Sequence, residues 1–232
     1  PRAFAEGLAN ISDCSRLLQI STDFVFRGEQ AHPYRPEDPC NPMSAYGASK
    51  AAGEQAVDDA LGTANHSGLS SRATILRTGW VYGPVGHNFL ITMLRLHHQK
   101  AANGESLRVV ADQVGCPTNT AGLARACWTV IERRASGILH WSDAGVASWY
   151  DFAVAIGELG EQLGLLEQAA QVQPILTTDY PTAARRPNYS LLDCTATRAK
   201  LDLAPRHWRD ALNETFLHNN DGLQKLIQAA KA

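Results

Sequence analysis

Short apolar runs alternate along this chain with longer segments of helical periodicity, and this alternation limits the folds that it can adopt. The apolar runs fall at residues 17–20, 73–78 and 137–140. Between them, apolar residues recur every three or four positions, as in the predicted core stripe of Leu123, Cys127, Val130 and Ile131. A strand–helix–strand order implies parallel pairing with right-handed crossovers. The sequence therefore predicts an α/β fold with a doubly wound parallel sheet.

Composition excludes several classes of function. With 232 residues, 44% of them hydrophobic, the chain can bury a substantial core as one or two domains. A formal charge of −2 gives no electrostatic case for binding nucleic acid or an anionic membrane. No apolar run approaches the roughly 18 residues that span a bilayer, and no signal-peptide pattern opens the sequence. We therefore expect a cytoplasmic protein without a membrane or nucleic-acid partner.

Cysteine and histidine spacing gives no metal motif. The five cysteines include no Cys-x-x-Cys pair, which fits reduced thiols in the cytoplasm better than a disulfide scaffold or a zinc site. His87, His97 and His98 lack a paired carboxylate or cysteine at ligand spacing. No metal site is predicted.

The stretch from residue 17 to residue 57 contains most of the candidate catalytic residues. Its apolar run ends in Ser21, Thr22 and an aspartate, and it closes with Tyr46 and Lys50 in a segment that reads as helix. Four residues make about one helical turn, so the phenol and the ammonium share a face. Asn41 is the predicted N-cap of this helix, with a proline at the first helical position.

These residue types suit proton transfer at a carbonyl group. A nearby cation favours the ionised form of a phenol, which assists transfer of its proton. A hydroxyl such as that of Thr22 can hydrogen-bond a carbonyl oxygen. Together Thr22, Tyr46 and Lys50 describe a carbonyl/alcohol redox site. The spacing alone is weak evidence, because a tyrosine and a lysine on one helix are usually a half-buried ring and a solvated charge.

A longer ordered set of motifs is more specific than this pair. Its members are Ser21-Thr22-Asp23-Phe24-Val25-Phe26 with Gly28, Glu37-Asp38, Asn41-Pro42, Tyr46-Gly47-Ala48-Ser49-Lys50, residues 76–82 (LRTGWVY), Asn88-Phe89, residues 112–118 (DQVGCPT), residues 148–153 (SWYDFA), and residues 180–187 (YPTAARRP) with Leu191. The set resembles the extended short-chain dehydrogenase/reductases, and within them most closely the dTDP-4-dehydrorhamnose reductase family. The resemblance spans nearly the whole chain.

The resemblance implies a Rossmann-like, NAD(P)-binding fold and the reduction of a 4-keto-6-deoxy sugar nucleotide by NADPH or NADH. In the implied mechanism, hydride reaches C4 and Tyr46 protonates the new alkoxide. Lys50 holds the ribose, Thr22 orients the carbonyl oxygen, and Ser21 contributes to the cofactor site together with Tyr46 and Lys50.

The same resemblance implies contacts to the nucleotide-sugar substrate. Thr22, Phe24, Trp80, Asn88 and Arg186 are the implied substrate-binding residues. A guanidinium fork matches a diphosphate in two-point contact, which suits the role of Arg186. Two plainer alternatives stay open: Trp80 as filling for the floor of a cleft, and Arg186 as part of a surface arginine pair.

The domain boundaries follow from the same comparison. Residues 1–84 are the expected cofactor-binding domain, with 121–142 returning to it, and 85–232 form mainly a smaller, C-terminal substrate-binding lobe. A dinucleotide-binding sheet normally opens with a strand and a Gly-x-Gly-x-x-Gly turn, which this sequence lacks. Residues 1–15 resemble the helix that precedes the Ser-Thr-Asp strand, so we expect the glycine-rich segment upstream of Pro1.

Departures from the pattern narrow the reaction. Related 4,6-dehydratases carry an Asp-Glu pair after the threonine, whereas Asp23 is followed here by Phe24, which cannot transfer a proton. This favours ketone reduction over dehydration. Two alternatives remain: a non-catalytic regulatory subunit, as in the related β subunit of methionine adenosyltransferase, and a nucleotide-sugar epimerase. A homodimer, the sugar and the choice of NADPH or NADH are left open.

Overall fold

The computed structural model describes residues 1–11, 15–62, 72–182 and 184–228. Cys14 and Ala183, which belong to two of the segments named above, lie outside the described residues. The helices are α1 (Arg2–Ala9), α2 (Ala45–Leu61), α3 (Phe89–Ala102), α4 (Thr120–Glu132), α5 (Trp149–Gln162), α6 (Thr195–Leu201) and α7 (Trp208–Gln228). The strands are β1 (Leu17–Thr22), β2 (Ala73–Thr78), β3 (Val81–Tyr82), β4 (Leu107–Val110), β5 (Val114–Gly115), β6 (Thr118–Asn119), β7 (Gly137–His140), β8 (Ala147–Ser148) and β9 (Val172–Ile175).

The chain divides into two compact units, and each unit is built from three separate segments of the sequence. The first unit contains Pro1–Gly79, Gly122–Ser142 and Ala183–Pro205, and the second contains Trp80–Ala121, Asp143–Thr182 and Arg206–Ala232. The first unit thus includes a late segment, 183–205, within the range 85–232 that was predicted to form mainly the substrate lobe. Which unit holds the cofactor and which the sugar stays a prediction.

A parallel three-stranded sheet in the order β1-β2-β7 forms the centre of the first unit. Every residue of the middle strand β2 is buried, as expected for a strand covered on both faces. Thr22 pairs with Thr78, and Arg77 pairs with His140, so the three strands end at the same edge. The predicted strands and their parallel pairing are confirmed, and this edge is where polar side chains gather.

Helix α2 begins three residues later than predicted. Ser44 is its N-cap, accepting a hydrogen bond at Oγ from the backbone N–H of Gly47 over 3.1 Å. The predicted cap, Asn41, is held elsewhere, because its N–H donates to the carbonyl of Val25 over 2.9 Å. That tether fixes residue 41 to the loop after β1 and leaves the capping role to the next small hydroxyl residue.

The second unit is built from three short strand pairs and three helices. Strands β3 and β6 and strands β4 and β9 pair in parallel, while β5 and β8 are antiparallel. Helices α3, α5 and α7 pack together around an aromatic core in which Phe152 meets Tyr82 and Trp208 edge to face. In the part of the chain that the structure describes, no helix combines the length and apolarity needed to cross a membrane.

Candidate active site

The carboxyl end of β1 brings together five of the predicted site residues. Ser21 and Thr22 are buried at the end of the strand, and Phe24 follows in a short 3₁₀ turn formed by Asp23–Val25. Lys50 and Tyr46 belong to α2, which packs against β1 and against this turn. These five residues therefore lie on β1, on the turn after it and on the helix that packs against both, and their convergence on one ligand stays a prediction.

Helix α2 approaches the turn closely because residue 47 has no side chain. A Cβ atom on Gly47 would lie 2.2 Å from the carbonyl oxygen of Phe24, so only glycine permits this spacing. The ring of Tyr46 then meets the ring of Phe24 edge to face, with centroids 6.0 Å apart. Tyr46 remains 55% exposed, which leaves its phenol accessible to a ligand.

Lys50 reaches from the helix to the strand. Its Nζ donates a hydrogen bond to the backbone carbonyl of Ile20 over 2.7 Å. One of the three ammonium protons is used in this way, and two remain for other acceptors. The contact fixes the cation one residue before Ser21 and one helical turn after Tyr46.

A buried ion pair secures the same helix at its next turn. Glu54 accepts from the guanidinium of Arg77, with Nη2 2.7 Å from Oε2 and Nε 3.1 Å from both carboxylate oxygens. Both side chains are almost fully buried. The hydroxyl of Ser21 also donates to Glu54. Ser21, predicted as a cofactor-binding residue, thus has a structural partner beneath the strand end.

Thr22 and Asp23 form a second buried contact. The hydroxyl of Thr22 lies 3.0 Å from Oδ1 of Asp23 and accepts the backbone N–H of Phe24 over 3.2 Å. Asp23 is 2% exposed. Burial raises the pKa of Asp23 to about 6, although the nearby hydroxyls of Ser190 and Thr22 favour the ionised form. The carboxyl of Asp23 is therefore directed into the protein.

Trp80 and Asn88 belong to the second unit. Trp80 adopts a left-handed backbone conformation (φ 52°), which is uncommon for a bulky residue and stores about 1–3 kcal/mol of strain. Its indole is stacked on that of Trp149, with centroids 3.6 Å apart and planes 3° from parallel. Asn88 caps α3, accepting from Ile91 N–H and donating to the carbonyls of Gly83 and Val85. The substrate contacts of Trp80 and Asn88 remain predictions.

Arg186 is exposed in the first unit. The segment that carries it is anchored to the loop after β1, since the N–H of Tyr189 donates to the carbonyl of Gly28 over 3.2 Å. Its role toward a diphosphate remains a prediction.

Among the described residues, no group of three or more histidine, cysteine or acidic side chains is arranged to hold a metal ion. His97 is buried, with Nε2 3.0 Å from the carbonyl of Ala153, and burial lowers its pKa. This histidine is therefore a neutral core residue. Cys40, Cys116, Cys127 and Cys194 are free thiols.

Sequence reasoning missed two groups at this site. Glu54 was visible in principle, because it continues the spacing of four residues set by Tyr46 and Lys50. The burial of Asp23 was not visible, since it depends on Gly79, which lies far along the chain and packs against the carboxyl group.

Comparison with known proteins gives consistent matches over most of the chain. The family model described as RmlD substrate binding domain matches residues 4–220. The spore coat polysaccharide biosynthesis protein SpsK of Bacillus subtilis (strain 168) is 40% identical over 201 residues, which are 86% of this chain and 63% of that protein. The dTDP-4-dehydrorhamnose reductase of Aggregatibacter actinomycetemcomitans is 38% identical over 210 residues, covering 88% of this chain and 67% of that protein.

A solved structure agrees with these matches. The dTDP-4-dehydrorhamnose reductase of Bacillus anthracis in complex with NADP superposes with a TM-score of 0.79 at 32% identity, covering 94% of this chain and 69% of that one. The predicted fold class is confirmed by this likeness. The chain spans 63–67% of the length of the two relatives named above.

Proposed function

Since the chain belongs to the family of RmlD substrate binding domains, we propose that it reduces the C4 ketone of a dTDP-linked 4-keto-6-deoxy sugar, as in dTDP-4-dehydrorhamnose reductase. The predicted family is thereby confirmed, and the activity is our proposal. The observation that carries it is the placement of Tyr46 and Lys50 on one face of α2, beside the strand end that holds Thr22.

In the proposed mechanism each residue has a separate task. Tyr46 is exposed at the strand end and donates its phenolic proton to the former carbonyl oxygen. Lys50, fixed on the carbonyl of Ile20, holds its positive charge on the same helical face and favours the release of that proton. Thr22 orients the carbonyl oxygen through its hydroxyl.

The donor groups at this strand end fit a nicotinamide cofactor. Lys50 retains two N–H donors and Tyr46 an open phenol, which together match vicinal ribose hydroxyls. When bound, NADPH or NADH supplies the hydride. The solved relative in complex with NADP supports the phosphorylated form as the first cofactor to test.

The predicted substrate contacts are part of this proposal. Phe24 offers an apolar ring beside Tyr46, and Arg186 offers an exposed guanidinium suited to a diphosphate. Trp80 and Asn88 are two further proposed substrate contacts. Asn88 has donors and acceptor engaged within its own helix start, so a ligand would meet it through the remaining lone pair of Oδ1.

The direct test is to incubate the protein with dTDP-4-dehydrorhamnose and NADPH. Turnover is measured by the loss of NADPH absorbance and by chromatography of the sugar nucleotide. We expect one alcohol product per NADPH oxidised. Interconversion of sugars without net cofactor consumption would instead identify an epimerase. Tight binding to a partner enzyme, with no NADPH oxidation on any keto-sugar nucleotide, would identify a regulatory subunit.

We place the activity in the cytoplasm. The four free thiols among the described residues fit a compartment that keeps cysteines reduced. The oligomeric state is left open between monomer and homodimer, and sedimentation of the purified protein measures it.

A further inference from the structure

Contacts within the protein limit the hydrogen bonds that the Thr22 hydroxyl can make to a ligand. A threonine hydroxyl carries one donor and two acceptor positions. One acceptor position is taken by the backbone N–H of Phe24 at 3.2 Å. The neighbour at 3.0 Å is Oδ1 of Asp23. What remains for a ligand therefore depends on which partner supplies the proton between Thr22 and Asp23.

The protonation state of Asp23 decides whether the Thr22 hydroxyl can donate a hydrogen bond to a ligand. An ionised carboxylate only accepts, so Thr22 must donate its single proton to Asp23 and can offer a ligand nothing but a lone pair. A ketone oxygen is also an acceptor, and the two would repel. A protonated Asp23 can donate to Thr22 instead. The hydroxyl proton of Thr22 is then released to point toward a ketone oxygen.

The surroundings of Asp23 favour the protonated form. Its Oδ2 is buried and has no partner at hydrogen-bond distance among the described residues, which is costly for a charged oxygen, and the nearby hydroxyl of Ser190 offsets only part of this cost. The carboxyl group packs directly against the backbone of Gly79, where a Cβ would lie only 2.5 Å from both Cγ and Oδ2.

Charged groups on the neighbouring elements are engaged with other partners. On α2, Lys50 is bound to the carbonyl of Ile20, and Glu54 is paired with Arg77 of β2. Tyr46, also on α2, faces Phe24. Burial is the main cause that raises the pKa of Asp23 to about 6.

We propose that Asp23 is the positioning residue that sets the direction of the Thr22 hydroxyl, and that only its protonated form turns Thr22 into a donor to the substrate ketone. The proposal rests on the ketone reduction proposed above. It assigns Asp23 no contact with the substrate and no net proton transfer, since the acid keeps its proton throughout. In this role Asp23 differs from a general acid, which would donate its proton directly to the sugar.

The test is the pH profile of kcat with dTDP-4-dehydrorhamnose and NADPH. In the unaltered protein we expect kcat to fall as pH rises through about 6, with a total loss of up to about 10²-fold, the usual effect of removing one donor to an oxyanion. In Asp23→Asn the amide N–H donates at every pH, so this fall disappears.

Three further variants test the path from Asp23 through the Thr22 hydroxyl. Thr22→Val removes the hydroxyl and retains the shape of the side chain. In that background, the double variant Thr22→Val/Asp23→Asn should have the same pH profile as Thr22→Val alone. Ser190→Ala removes a hydroxyl that lowers the pKa of Asp23, so the fall in kcat should move to higher pH.

The outcomes distinguish this inference from the proposed function. If the unaltered protein reduces no keto-sugar nucleotide, the proposed function fails. If it reduces the ketone but Asp23→Asn keeps the fall near pH 6, or if the fall persists in Thr22→Val, the role of Asp23 is overturned and the reductase activity stands.

Discussion

Arg77 of β2 and Glu54 of α2 form a two-point ion pair in the interior of the first unit, with Nη2 2.7 Å from Oε2. The pair joins the middle strand of the sheet to the third turn of the helix. Tyr46 and Lys50 lie on the same face, two turns and one turn earlier. The buried pair thus fixes the rotation of α2 that directs both side chains to the end of β1.

Removing one partner of this pair should strongly destabilise the protein. Glu54→Ala leaves the guanidinium of Arg77 buried without its counter-charge, which typically costs about 3–5 kcal/mol. We expect the free energy of unfolding, measured by urea denaturation, to fall by that amount. The matched control is Asp202→Asn, which removes the charge of the exposed ion pair to Arg133, keeps a residue type suited to the left-handed backbone at this position, and should leave the urea midpoint nearly unchanged. Equal midpoints for the two variants would show that the buried pair does not hold the helix.

The hydroxyl of Tyr46 should matter for turnover and not for folding. Tyr46→Phe keeps the edge-to-face contact with Phe24 and removes only an exposed hydroxyl. We expect kcat for keto-sugar reduction to drop by about 10²–10⁴-fold, the range for losing a general acid, with an unaltered thermal midpoint. Tyr180→Phe is the matched control, because Tyr180 is exposed to a similar extent, 57%. Full activity in Tyr46→Phe would remove this phenol from the mechanism.

Local patterns were sufficient to predict the framework of the site. The apolar runs at 73–78 and 137–140 gave strands with those bounds, and the spacing of Tyr46 and Lys50 gave a shared helical face. Periodicity was less reliable at the surface: Ile131, assigned to a core stripe of α4, is 48% exposed, while Val130 beside it is buried. A stripe cannot tell which of two adjacent apolar residues faces the core.

Contacts between distant parts of the chain could not be predicted in the same way. Asn41 lost the capping role to Ser44 because a backbone hydrogen bond to Val25 holds it in the loop. The burial of Asp23 depends on the close approach of Gly79. The approach of Gly79 follows from the packing of β1 beside β2, and the bond of Asn41 follows from the path of the loop between β1 and α2; a single sequence specifies neither.

Asp23 and His140 should make stability depend on pH in opposite directions. The pKa of Asp23 is raised to about 6, so between pH 4 and 6 the folded state holds a proton that the unfolded state has lost, and stability falls as pH rises. Burial, with the charge of Arg77, lowers the pKa of His140 to about 3, so between pH 3 and 6.5 the unfolded state holds the extra proton and stability rises with pH. Between pH 4 and 6 the two slopes nearly cancel.

Single variants should show separately how Asp23 and His140 make the free energy of unfolding depend on pH. In Asp23→Asn the free energy of unfolding should rise with pH by about 1.4 kcal/mol per unit more steeply than in the unaltered protein, reaching a gain of up to about 3 kcal/mol at pH 7. In His140→Gln it should change with pH by about the same amount per unit in the opposite sense. Urea denaturation at several pH values measures both. His87→Gln, at an exposed histidine, is the control, and identical slopes in all four proteins would contradict both assignments.

The indole stack of Trp80 and Trp149 should support substrate binding more than the chemical step. Trp149→Leu removes the ring that covers one face of Trp80 and the N–H that Gln113 accepts over 3.1 Å. Loss of one aromatic pair costs about 0.5–1.5 kcal/mol, so we expect KM for the sugar nucleotide to rise by roughly 2- to 10-fold with a smaller change in kcat. Two parallel indoles also give a paired signal of opposite signs in the circular dichroism spectrum, which should vanish in this variant. Trp128→Leu, at an exposed tryptophan of the first unit, should keep both the signal and KM. A signal that survives in Trp149→Leu would contradict the stack, and an unchanged KM after its loss would remove Trp80 from substrate binding.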